Sequence, residues 1–266
     1  MPIVTSAPIK IYDQEMFHKV DRRVTGFAFD IHNEFGRYLD EAMYQSELSR
    51  RCKAAGFDVV PELQITVSLD DFRKLYSADL LIDHGVIVET KTVSTIADSH
   101  RGQTLNYLFL SGLHHATLLN FRPEQVEREF VSTRLTHTLR QRYTLAFDGF
   151  KKLTPQCRRL KEALMSCLKE WGAYLDPLLY RDAMTHFVGG KEFVRRSVAV
   201  HSAGATIGQQ KMHLLTDDVA FSVTTATHRP ESVFDHQSRF LKHTHLRALQ
   251  WINLNHSHIE VRTIEK

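Results

Sequence analysis

Apolar residues at Phe17, Val20, Val24, Phe27, Ala28 and Ile31 recur at helical spacing, which predicts a helix over residues 13–34 that Gly36 can stop. A second helix is predicted over 39–55, ended by Gly56. The pattern then changes to short runs rich in β-branched residues at 63–69, 78–82 and 86–93. Asp83-His84-Gly85 separates the last two and reads as the turn of a hairpin. From His100 the spacing is helical again through Leu110, and 115–121 reads as one more strand. Two helices, strands, a helix and a strand make an α/β or α+β sandwich.

The second half repeats the first in weakened form. EFGRYLDEAMY, from Glu34, matches EWGAYLDPLLY, from Glu170, at Glu, Gly, Tyr, Leu, Asp and Tyr. At nearly the same spacing DLLIDHGVIVETKTV, from Asp79, lies over HLLTDDVAFSVTTAT, from His213, and Gln103 lies over Gln237. Two matches in similar registers predict a tandem duplication, against the alternative of two unrelated α/β halves. The expected domains are 1–135 and 136–266, parting in the basic stretch RLTHTLRQR.

A length of 266 residues suits one large domain or two small ones, and 42% hydrophobic with 24% charged residues is the composition of a folded chain. The N-terminal stretch lacks a basic segment followed by an apolar one, and no run of about 18 apolar residues occurs. The chain is therefore expected to be cytoplasmic, with no membrane partner. Cys52, Cys157 and Cys167 form no Cys-x-x-Cys pair and read as reduced structural thiols. A net charge of +3 permits a nucleic-acid partner without indicating one.

The chemistry concentrates in the hairpin. The two-residue period of a strand puts Glu89 and Lys91 on one face, with Val88 and Thr90 turned to the other. Burying a carboxylate and an ammonium in an apolar strand is costly unless they are paired, solvated or engaged with a metal. Asp79 stands ten residues before Glu89, so a hairpin brings the two carboxylates together. Converging carboxylates repel unless a cation lies between them, and Mg²⁺ favours a few carboxylate oxygens plus water. Lys91 beside such an ion can activate water or stabilise charge on a phosphorus centre. Glu41 on the second helix is a further acid; Gln103 and Tyr107, four apart, share a face of the later helix. Glu-x-Lys alone is also what an ordinary surface ion pair looks like.

The stretch AFDIHNEFGRYLDEAMYQSEL, followed by ADLLIDHGVIVETKTV, QTLNYL and ATLLNF, resembles the GxxExxY proteins, a branch of the PD-(D/E)XK nuclease superfamily, over residues 13–121. The resemblance implies an α/β fold with a restriction-endonuclease-like mixed sheet flanked by helices, Mg²⁺ or Mn²⁺ as cofactor, and nucleic acid as substrate, with DNA favoured over RNA. Glu41 and Tyr44 fall on the naming Glu and Tyr, Asp79 on the motif's Asp, and Glu89 and Lys91 on its Glu-x-Lys. Gln103 and Tyr107 fall on the Gln-x-x-x-Tyr that several recombination exonucleases share. Asp79, Glu89 and Glu41 are then the expected metal ligands, Lys91 the water-activating group, and Gln103 with Tyr107 the substrate supports. Two positions depart: Tyr38 replaces the naming Gly, whose backbone angle Tyr reaches only at a cost, and Ala78 replaces Pro.

In the second copy the same register sets Pro177 over Glu41, His213 over Asp79, Val223 over Glu89 and Thr225 over Lys91. That half is expected to be an inert partner, packed as an intramolecular pseudo-dimer, with a homo-oligomer also possible. His243 with His245 and His256 with His258 are alternate-residue pairs without zinc-like acids or cysteines nearby. Lys151, Lys152, Arg158, Arg159 and Lys161 form a basic run that can track phosphates or simply face water. No phosphate-cradling glycine loop or nucleophile elbow occurs, which leaves kinases and serine hydrolases without support. The main rival is a non-catalytic nucleic-acid-binding or interaction protein that keeps a nuclease fold; a hydrolase of another phosphate ester is the third reading.

Overall fold

The computed structural model describes residues 2–266, which fall into two compact units that part between His137 and Thr138. In the first unit, helix α1 (Gln14–Phe35) starts where the Asp13 carboxylate accepts a hydrogen bond from the Met16 amide at 2.8 Å, and it ends at Gly36, φ 73°. Its stripe of Phe17, Val20, Val24, Ala28 and Ile31 is buried against Tyr44, Leu48 and Cys52 of α2 (Glu41–Ala54) and against the sheet residues Leu80, Ile82, Val86, Val88 and Leu119. Each such side chain contributes about 1.5–3 kcal/mol by leaving water.

The sheet runs in the order β1 (Ile3–Thr5), β2 (Val59–Leu69), β3 (Phe72–Ile82), β4 (Val86–Lys91), β5 (His115–Asn120), β6 (Glu127–Ser132). Only β4 and β5 are parallel, joined by a crossover through α3 (Asp98–Ser111). The hairpin turn lies where the sequence places it. Asp83 and His84 take φ 47° and 61°, the left-handed values of a tight turn, the Gly85 amide donates to the Ile82 carbonyl at 3.0 Å, and these three residues join the paired Ile82 and Val86. Gly85 is required there because a Cβ would come within 2.6 Å of the Tyr12 ring. Three features depart from the sequence reading. The edge strands β1 and β6 were not expected; they are short or alternate with charged residues. The β2–β3 ribbon is longer than its apolar runs because its outer half carries Arg73, Lys74 and Ser77 on a partly exposed surface. Finally, β4 stops at Lys91 rather than at Val93.

The second unit is built by α4 (His137–Arg140), at the boundary, β7 (Thr144–Ala146), α5 (Pro155–Trp171), α6 (Pro177–Phe187), α7 (Lys191–Val194), β8 (Arg195–Ser202), β9 (Ala205–Leu214), β10 (Val219–Thr224), α8 (Pro230–Lys242), β11 (Ala248–Asn255) and β12 (His258–Glu265). Its sheet order is β7-β12-β11-β10-β9-β8, and β10 and β11 are parallel across α8. The first unit's succession of two helices, three antiparallel strands, a crossover helix, a parallel strand and an antiparallel partner therefore occurs again. Two local devices recur with it. Tyr44 Oη donates to the Gly36 carbonyl at 2.6 Å, and Tyr180 Oη to the Gly172 carbonyl at 2.5 Å. Asn120 bonds both backbone groups of Val93, and Asn253 bonds both of Ala226.

The pairing corrects the register of the self-match by one residue in the hairpin. Lys91 pairs with Asn120 and Thr224 with Asn253, so Thr224, not Thr225, stands in the place of Lys91, and Ser222, not Val223, in that of Glu89. Leu81 pairs with Ile87 and Leu214 with Ala220, which puts Met212, not His213, in the place of Asp79. A one-residue slip moves a side chain to the other face of a sheet, so His213 belongs to the opposite face, where it lies 5.2 Å from the Phe221 ring.

Two predictions follow from these contacts. Tyr44→Phe removes the hydroxyl that donates to Gly36 and accepts from the Leu39 amide at 3.3 Å. It should cost about 1–3 kcal/mol, read as a lower denaturation midpoint by circular dichroism; an unchanged midpoint contradicts this role. Burial first, then Arg181 and Arg195, push the His213 imidazole down to about 4 from 6.5. A depressed folded value means that its contribution is present above about pH 6.5 and is lost as pH falls toward about 4. Trp171 and Trp251, the only tryptophans of the chain, both lie in the second unit and report its unfolding. By their fluorescence, His213→Gln should remove part of the acid destabilisation, on the order of 1 kcal/mol after allowance for solvent screening. An identical acid response in the variant rejects this.

Among the described residues no helix is long and apolar enough to cross a membrane. The three cysteines are buried and free.

Candidate active site

Backbone pairing between β3 and β4 ends at Leu80 and Val88. Beyond that point side chains take over the ladder. The Asp79 amide donates to Glu89 Oε1 at 3.0 Å, and the Thr90 amide donates to Asp79 Oδ2 at 2.7 Å. Each carboxylate thus satisfies a backbone donor that the opening strands would leave orphaned. Thr90 also donates its hydroxyl to Asp79 Oδ2 at 2.8 Å. It does not simply turn away from the site as strand alternation predicts, because Asp79 sits where the two strands part.

Glu89 and Lys91 share a face, as expected, and Lys91 Nζ lies 3.4 Å from Glu89 Oε2 and 3.8 Å from Glu41 Oε1. Glu41 reaches this point from the first turn of α2, where its Oε2 accepts from the Thr92 amide at 3.1 Å. The carboxylates differ in setting: Glu89 is 1% exposed at its side chain and Glu41 40%. Burial first, and the charge of Asp79 second, push the Glu89 carboxyl up to about 8, while Lys91 acts in the opposite direction. At neutral pH the buried acid is therefore held largely as the neutral form.

Gln103 and Tyr107 are brought together on α3, the Gln103 amide donating to Tyr107 Oη at 2.9 Å. Gln103 is exposed, whereas Tyr107 is buried, and its phenol is raised by burial first and by Glu89 next. Asp79 and Glu89 are close enough to Tyr107 for both charges to be felt, so α3 forms one wall of the site. Three supporting residues were not singled out in the sequence. Thr90 and Thr92 fix Asp79 and Glu41 as described, and Gln45 donates to the Asp79 carbonyl at 3.1 Å. Their roles depend on where the strands separate, and no spacing rule displays that.

Among the described residues no three His, Cys, Asp or Glu side chains form a ready-made metal cluster; the Lys91 ammonium reaches into the space that Glu41 and Glu89 share. The donor chemistry nevertheless fits a hard divalent cation: carboxylate oxygens from Asp79, Glu89 and Glu41, with the Glu89 carboxyl raised by burial first and by the charge of Asp79 second.

The corresponding positions of the second unit hold neutral groups. Ser222 Oγ donates to Gln237 Oε1 at 2.8 Å, and the Trp251 indole donates to Thr224 Oγ1 at 2.8 Å. The histidine pairs have other work: His243 bonds the His201 carbonyl, His245 the Asp217 carbonyl and His258 the Thr144 hydroxyl, while His256 packs on Tyr174. In the basic run, Lys151 pairs with Glu265, and Lys161 lies 3.8 Å from the Phe147 ring centre.

Tyr38 does not carry the strain expected of a residue in a glycine's place. It is absent from the positive-φ residues, and Gly36 supplies that conformation instead. Tyr174, its counterpart in the second unit, does adopt φ 72°.

Comparison with curated proteins and with solved structures gives no match. Residues 18–133, most of the first unit and including every one of the candidate site residues, match the family model of the PD-(D/E)XK nuclease superfamily.

Proposed function

We propose that the first unit is a divalent-metal-dependent nuclease of the GxxExxY branch, hydrolysing phosphodiester bonds in nucleic acid, with DNA favoured over RNA. The observation that carries this reading is the convergence of Glu41, Glu89 and Lys91 from a helix and a strand, with Asp79 bonded directly to Glu89. Asp79, Glu89 and Glu41 would hold Mg²⁺ or Mn²⁺. The chemistry that the ion supplies when bound is Lewis-acid polarisation of a phosphoryl oxygen. Lys91 presents an ammonium that orients water and meets the negative charge growing on phosphorus. Thr90 and Thr92 keep Asp79 and Glu41 aimed, while Gln103 and Tyr107 line the substrate side of the pocket.

We also infer that the second unit descends from a duplication of the first and has lost the chemistry. The repeated connectivity, the Tyr–Gly and Asn devices, and the neutral residues Met212, Ser222 and Thr224 at the acidic and basic positions support this.

The rival reading, a binding protein that keeps the fold, is favoured by one observation: the Lys91 ammonium already stands beside both acids, 3.8 Å from Glu41 Oε1 and 3.4 Å from Glu89 Oε2. Incubation of the full chain with labelled single- and double-stranded DNA and RNA, with Mg²⁺, Mn²⁺ or chelator, separates the two. Metal-dependent cleavage supports the nuclease; binding without cleavage under every condition supports the rival.

A further inference from the structure

The loop between α1 and α2, which leads directly into Glu41, presents an aromatic ring to solvent. Tyr38 is 75% exposed, so its ring is open to a ligand that can stack on it. The ring is flanked by two guanidinium groups. Arg37 lies 5.2 Å from the ring centre and donates to its hydroxyl at 3.0 Å, and Arg122 lies 5.9 Å from the ring centre. Glu124 is the acid felt by Arg37.

Hydrogen bonds tie the loop that carries this ring, and the arginine beside it, to the candidate site residues. Tyr44 clamps the loop by bonding the Gly36 carbonyl and the Leu39 amide, on either side of Tyr38, and stacks on Phe121 at 4.3 Å. Arg122 follows Phe121 and donates to the Thr92 carbonyl at 3.3 Å, and the Thr92 amide donates to Glu41. Along the chain Tyr38 is three residues before Glu41, a reach of at most about 11 Å. A fixed, exposed ring with arginines beside it, close to a phosphodiesterase centre, has the properties of a stacking platform. Bases stack on such rings without regard to sequence, and arginines beside them meet the phosphates.

We propose that Tyr38, with Arg37 and Arg122, stacks an unpaired base of the substrate next to the scissile phosphate, so that the site takes single-stranded or locally unpaired nucleic acid in preference to continuous duplex. Bases within a duplex already stack on each other and cannot offer a face to a side chain. The inference rests on the nuclease reading for the position of the scissile bond, but binding tests it without cleavage.

The experiment measures binding of a labelled single-stranded oligonucleotide and of its duplex to the full chain in chelator, by anisotropy, and steady-state cleavage in Mg²⁺. Tyr38→Ala should weaken single-strand binding and raise KM about tenfold, from the usual value of one base–aromatic stack, with kcat less affected. Tyr38→Phe should stay within about twofold, because stacking needs the ring and not the hydroxyl. Tyr38→Trp should add an emission that the single strand quenches and the duplex does not, against Trp171 and Trp251, which are buried. Unchanged single-strand affinity in Tyr38→Ala, or equal quenching by duplex, overturns the proposal. Loss of binding in Tyr38→Ala together with no cleavage by the unaltered chain leaves the platform standing and removes the nuclease reading.

Discussion

Asp79→Ala is expected to lower metal-dependent cleavage by at least about 10²–10³-fold, the range for losing one group that stabilises developing charge in a dry site. The side chain does two things at once. In the proposed reading it contributes a carboxylate to the charge that would meet a divalent ion, and its Oδ2 accepts from both the amide and the hydroxyl of Thr90. Alanine therefore also frees a buried backbone donor, so some loss of stability accompanies the loss of activity. Asp79→Asn separates the two: it keeps an acceptor for Thr90 and loses the charge. Lys91→Ala should produce a loss of similar size while leaving the Asp79 contacts in place, and Lys91→Arg should restore only part, since a planar guanidinium does not replace a compact ammonium. The check is cleavage rate under saturating substrate, with circular dichroism showing that each variant folds. Full activity in both Asp79→Asn and Lys91→Ala would refute the assigned roles.

Glu89→Gln should make the metal-free protein more stable while destroying activity. The carboxyl is almost wholly buried and is raised from 4.5 to about 8. A raised folded value has a definite sign: the neutral acid is favoured in the folded state, and that contribution is present in full below about pH 4.5 and is lost as pH rises through about 8. Above about pH 8 the folded chain carries an ionised, buried acid beside Asp79, and an amide of the same shape avoids this at a gain on the order of a few kcal/mol. The melting temperature of Glu89→Gln in chelator should therefore exceed that of the unaltered chain, with the difference widening from acid to alkaline pH. A lower melting temperature across that range would mean that the Lys91 and Asp79 amide contacts outweigh the cost of burying the charge. A gain in stability bound to a loss of function is the ordinary mark of a residue held for its chemistry.

Much of the first unit was legible because its helices and inner strands are amphipathic with clear stops. Asp13, Gly36 and Gly56 mark helix ends, and Asp83 and His84 supply the hairpin turn. The outer half of the β2–β3 ribbon and the edge strands were not legible, since they are short or set charged and polar residues among few apolar ones on a partly exposed surface. The convergence of Glu89 and Lys91 followed from the period of a strand, and the nearness of Asp79 from the hairpin. What the sequence could not display was the parting of β3 and β4 at Leu80, which turns Thr90 toward Asp79 and brings Thr92 onto Glu41. The second half shows the same limit: Leu80-Leu81 matches Leu214-Leu215 by residue type, whereas strand pairing sets Leu81 level with Leu214, which no residue pattern displays.

The most direct test is calorimetric titration of the full chain with Mn²⁺ or Mg²⁺, repeated on Asp79→Asn and Glu89→Gln. The account predicts saturable binding that both substitutions abolish or weaken at least about tenfold, in line with the loss of a charged ligand. No binding to the unaltered chain, or binding undiminished in both variants, would contradict it.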